Sequence, residues 1–98
     1  MSFKDHLIED MRLVVLRSLS EMPQYRSNSS VLHSFITRYG HGFSRDQLRT
    51  QLNWLTEQGL IVIEENLDSV LVVKLTERGC DVANGLVLTH GVKRPSAG

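Results

Sequence analysis

Apolar side chains recur over residues 3–22 at Phe3, Leu7, Met11 and Val14, and again at Ile8, Val15 and Leu19. That three-and-four spacing predicts a helix with a broad buried face, which Pro23 ends. Leu13 and Leu16 widen the apolar arc, as in a central core helix or one shared with a second subunit. After a polar link over residues 24–27, the cluster Ser27-Asn28-Ser29-Ser30 offers an N-cap. Val31, Leu32, Phe35, Ile36 and Tyr39 then line one face of a short second helix that Gly40 stops. Ser44 with Gln47 three residues on has the form of a capping box. It opens a third helix with a Leu48, Leu52 and Leu55 stripe, and Gly59 closes it.

Two short helices joined by a Gly-containing turn make a helix-turn-helix pattern. Residues 60–65 and 70–75 are β-branched runs separated by Asn66-Leu67-Asp68-Ser69, which predicts a hairpin directly after the third helix, the position of a wing. Its strands carry apolar residues on both faces, so one face meets the core and the other calls for cover by a helix or a second subunit. Thr76 caps a last helix through Cys80 and Ala83 that ends near Gly85. The expected fold is therefore α+β and mainly helical, a winged helix-turn-helix with a three-helix core, a hairpin wing and a C-terminal helix. Residues 1–90 form that domain, and residues 91–98 read as a mobile tail.

The 98 residues allow one core, and their 11 basic and 11 acidic side chains leave no formal net charge. Bulk attraction to nucleic acid is thus absent, and any such binding needs a local patch. Residues 23–59 supply one: Arg26, Arg38, Arg45 and Arg49 outnumber Asp46 and Glu57. Over residues 60–79 the balance reverses, with Glu64, Glu65, Asp68 and Glu77 against Lys74 and Arg78, so the wing is acidic. The one cysteine, Cys80, allows no intrachain disulfide and suits a reducing cytoplasm. No apolar run approaches a membrane span.

The stretch from Ser44 to Leu60, the hairpin and Leu75-Thr76-Glu77-Arg78-Gly79 together resemble winged helix-turn-helix regulators. Helix one, Tyr25-Arg26-Ser27-Asn28, Ser44-Arg45-Asp46-Gln47, residues 77–83 and the ending Gly91-Val92-Lys93-Arg94-Pro95-Ser96 are similar to small winged-helix proteins of Mu-like phages and prophages. These are often labelled arsenic-repressor-like regulators. The resemblance implies a DNA-binding transcriptional regulator acting in the cytoplasm of a bacterial host. Metal sensing does not carry over, because Cys80, His6, His33, His41 and His90 are scattered without ligand spacing. No cofactor, metal or catalytic site is expected.

Stepping 100° per residue from Leu48 puts Asp46, Arg49, Thr50, Asn53 and Glu57 on the outer face of the third helix, flanked by Arg45 and Thr56. Arginine and asparagine suit guanine and adenine edges, which selects Arg45, Arg49, Thr50 and Asn53 as base-facing, with Ser44 at the helix start placed for phosphate. Arg26 and Arg38 add salt-dependent contacts to double-stranded DNA. Trp54, at the edge of the buried side, is expected against the hairpin or the second helix, and Cys80 inside the core. A homodimer would present two such helices to a palindromic site. The alternative is a protein-interaction module of phage assembly or host takeover that uses the same scaffold to dock a phage or host protein without binding DNA.

Overall fold

The computed structural model describes residues 2–96; Met1, Ala97 and Gly98, the last two belonging to the expected tail, lie outside the described residues. Helix α1 (Phe3–Ser20) begins at Ser2, whose hydroxyl accepts from the Asp5 amide while the Asp5 carboxylate accepts from the Ser2 amide. Its Met11, Leu13, Val15, Leu16 and Leu19 are buried in the single chain. Leu13 and Leu16, which widen the arc, are thus covered within the chain, whereas Phe3 and Leu7 of the predicted buried face are exposed.

Pro23 turns the chain through a 3-10 turn (Pro23–Tyr25) in which Gln24 and Tyr25 both adopt positive φ. Next comes a feature that apolar alternation does not reveal, strand β1 (Arg26–Asn28). Asn28 ends the strand and also caps α2 (Ser29–Arg38), its Oδ1 accepting from the Val31 amide at 2.9 Å. Only Leu32 and Ile36 of α2 are buried. Val31 and Tyr39, expected on the same face, are exposed.

Helix α3 (Arg45–Glu57) starts at the reciprocal Ser44 and Gln47 capping box and buries Leu48, Leu52 and Leu55 as expected. Strands β2 (Ile61–Leu67) and β3 (Val70–Leu75) form the hairpin, longer on its first strand than predicted, and β1 closes an antiparallel sheet in the order β1-β3-β2. A bulge between Ile63 and Glu65 shifts the β2–β3 register. Ile61, Leu71, Val73 and Leu75 face the helices, whereas Val62, Val70 and Val72 remain partly open on the outer face. Helix α4 (Glu77–Ala83) is capped by Thr76 and ends before Gly85. Its Cys80 is half-buried rather than enclosed, with Asn84 Nδ2 at 3.6 Å from the sulfur. The observed class is α+β, with four α-helices and a three-stranded antiparallel sheet around one core among the described residues.

The start of the segment expected as a tail is held in place. Val92 is buried, the Lys93 amide donates to the Glu9 carbonyl, and the Gly91 carbonyl accepts from Arg12 at 2.8 Å.

Candidate nucleic-acid interface

The leucine stripe of α3 fixes which side chains face outward. With Leu48, Leu52 and Leu55 in the core, Arg45, Asp46, Thr50, Asn53 and Glu57 are exposed, and Arg49 is half-buried. Ser44 and Gln47 spend their polar atoms on each other's backbone, at 3.0 Å for the Gln47 amide to Ser44 Oγ and 2.8 Å for the Ser44 amide to Gln47 Oε1. Thr50 Oγ1 donates to the Asp46 carbonyl at 3.3 Å and Asn53 Nδ2 to the Arg49 carbonyl at 3.1 Å. Both short side chains therefore lie back along the helix, which leaves the carboxamide oxygen of Asn53 outward.

The two arginines of α3 differ. Arg45 forms no ion pair among the described residues, and Asp46 and Glu57 hold neither arginine. Arg49 instead reaches the hairpin, donating through Nη2 to Asn66 Oδ1 at 3.2 Å and through Nη1 to the Asp68 carbonyl at 3.3 Å. Arg45 and Arg49 share a groove of about 200 Å3 with Asp46, Ser29 at the start of α2 and Ser69 of the hairpin turn.

Of the seven residues selected from sequence, Ser44, Arg45, Arg49, Thr50 and Asn53 come together on α3, whereas Arg26 and Arg38 do not join them. Arg26 stands in register with Lys74 and, beyond it, Val62, on the sheet face turned away from the helices, and pairs with Glu64 at 3.0 Å. Arg38 ends α2 with its guanidinium 5.8 Å from the centroid of the Phe35 ring. At a rise of about 1.5 Å per residue, it lies roughly 13 Å along the helix from Ser29 and the groove.

Sequence reasoning missed what orients α3. Arg12 of α1 stacks on Trp54 at 3.6 Å from the ring centroid, donates through Nε to Gln51 Oε1 at 2.8 Å and holds the Gly91 carbonyl. Trp54 accordingly packs on Arg12 and Gly91 rather than being placed by the hairpin or α2, because a guanidinium over an indole ring also gains cation–π attraction. Burial pushes the Arg12 guanidinium below its ordinary pKa, an effect that Glu9 and Asp5 oppose. The one sequence signal was an arginine set between Met11 and Leu13 inside the apolar arc. A second network joins α1 to the turn before α3: buried His41 sits 2.7 Å from Asp10 Oδ2, and Asp10 Oδ1 lies 3.3 Å from Lys93 Nζ.

Among the described residues no group of three or more histidines, cysteines or carboxylates is placed to hold a metal ion. Among the same described residues no helix is long and apolar enough to cross a membrane.

The chain is 50% identical over 91 residues to the uncharacterized protein gp26 of Escherichia phage Mu, covering 93% of each chain. It is 49% identical over 78 residues to an uncharacterized protein of Haemophilus influenzae, covering 80% of this chain and 76% of the relative. No protein-family model and no solved structure matches it.

Proposed function

The chain belongs to a family of Mu-like phage proteins that includes gp26 of phage Mu, and from that premise we propose that it is a winged-helix regulator that binds duplex DNA through α3 in the cytoplasm of the bacterial host. The observation that carries the reading is the uncovered outer face of α3. Arg45, Thr50 and Asn53 stand exposed on a helix whose opposite face is locked into the core, directly before a hairpin. The order helix, strand, two helices and hairpin, with β1 completing the sheet, supports a winged-helix assignment. Arg45 reaches guanine edges or phosphate, and Asn53 offers its carboxamide to adenine. Arg26 stays with Glu64 and contributes little, so the hairpin is a weak partner for DNA.

The test is a titration with duplex DNA at several salt concentrations, using wild type and an Arg45→Ala/Asn53→Ala variant. The reading expects salt-dependent binding that the variant loses. Absence of binding at the lowest salt overturns it.

A second reading, a protein-docking module in phage assembly or host takeover, is favoured by one observation. Leu86 and Leu88 beyond α4 are 76% and 65% exposed, and Phe3 at the start of α1 is 79% exposed. The same residues would serve a homodimer, which sedimentation of wild type against a Leu86→Ser/Leu88→Ser variant tests.

A further inference from the structure

The hairpin turn occupies the one arginine of α3 that is not free. Both acceptors that Arg49 meets, Asn66 Oδ1 and the Asp68 carbonyl, are neutral, and at 3.2 and 3.3 Å both contacts are longer than the roughly 2.7–2.9 Å usual for a guanidinium on an anion. Asp68 adopts a positive φ of 55° in a two-residue turn, a conformation that is uncommon outside glycine, asparagine and aspartate. Beside the guanidinium opens the groove that Arg45, Asp46, Ser29 and Ser69 also line, so that two guanidinium groups face one carboxylate there.

We propose that this turn is an autoinhibitory latch: Asn66 and Asp68 hold Arg49 against the hairpin until a phosphodiester of bound DNA takes their place. The inference rests on the DNA-binding reading and adds to it a regulation of the same face. A phosphate oxygen forms charge-assisted hydrogen bonds to a guanidinium about twice as strong as those to neutral acceptors. Arg45 on the same groove adds a second positive charge that attracts the phosphate. Release of the turn breaks only two long contacts at the surface, so the exchange runs in favour of DNA. In the free protein, the latch keeps a cation of α3 satisfied beside an acidic hairpin, which lowers affinity for DNA in general.

The test is a mutant cycle on the full chain, read by titration with duplex DNA at several salt concentrations. Asn66→Ala removes one acceptor and is expected to tighten binding by about two- to tenfold, the usual worth of one hydrogen bond, with an unchanged salt slope. Arg49→Ala is expected to weaken binding and to make the salt slope shallower by about one phosphate contact. In the Arg49→Ala background the Asn66→Ala gain disappears. Asn66→Ser, a small polar residue in the same strand, is expected to tighten binding as Asn66→Ala does, which separates release of the latch from distortion of the hairpin. If wild type binds and neither Asn66 variant binds more tightly, or if the gain persists without Arg49, the latch is wrong while the DNA reading stands. If no variant binds duplex DNA at the lowest salt, both fall.

Discussion

At Gly79 the chain has no room for one methyl group. A Cβ there would overlap the Leu60 carbonyl oxygen and lie 2.7 Å from Leu75 Cδ1, because α4 starts hard against the end of α3 and the sheet. Gly79→Ala is expected to lower stability by about 1–3 kcal/mol, the range for overpacking, measured as a fall in the urea midpoint. The Leu75-Thr76-Glu77-Arg78-Gly79 run stood out in the sequence, but its glycine looked like part of a motif, and only the packing supplies the cause. His41 is a second residue whose importance was hidden. Asp10→Ala leaves its buried ring nitrogen without the carboxylate 2.7 Å away, which costs about 1–3 kcal/mol in the same assay. Asp5 gives a pH signature instead. The Ser2 amide, and next the Ser2 hydroxyl, hold its carboxyl below the ordinary value of 3.8. Since the folded value is the lower one, the cap contributes above the unfolded value and is lost as pH falls through the folded value. A carbon-detected titration of Asp5 by NMR is expected to show a midpoint below 3.8.

Among the elements, α3 was the most legible, because both of its signals are local. A capping pair three residues apart and leucines spaced for one face need no knowledge of the rest of the chain. Ser44→Ala, which removes the acceptor of the Gln47 amide, is expected to cost about 1 kcal/mol of stability, measured by denaturant unfolding. Strand β1 was illegible for the opposite reason. Arg26, Ser27 and Asn28 have no apolar alternation, and they are extended because β3 presents a free edge to them in the register Arg26 with Lys74. The same pairing explains why Arg26 stands apart from the α3 residues, since it places the side chain on the outer sheet face within reach of Glu64. Arg38 stands apart through simple distance along α2. The outer face of α3 was readable residue by residue, but the engagement of Arg49 with the hairpin turn depends on tertiary contact between elements 17 and 19 residues apart.

For the molecule as a whole, the balance of charge and the position of the C-terminal segment act together. Eleven basic and eleven acidic residues leave any DNA affinity to a few unpaired cations, and in the structure Arg26 is paired with Glu64, Lys93 with Asp10 at the surface, and Arg12 is engaged by Trp54, Gln51 and Gly91. Lys93 and Arg94 fall in the segment that the sequence predicts as a mobile tail. Lys93 instead closes a bridge, its ammonium on Asp10 and its amide on the Glu9 carbonyl, with Val92 buried beside it. Gly91 carries the link onward, since its carbonyl accepts from the same Arg12 that stacks on Trp54 and holds Gln51 of α3. A chain shortened to residues 1–90 keeps every helix and strand, yet it exposes the contacts of Val92 and strips Arg12 and Asp10 of one partner each. Burial of a valine side chain alone is worth about 1.5–3 kcal/mol, so the shortened chain is expected to unfold at clearly lower urea than the full one. Amide exchange should quicken in α1 and at Gln51 and Trp54 of α3, where the lost contacts converge. Equal stability and unchanged protection in α3 would show that the segment rests on the fold without supporting it.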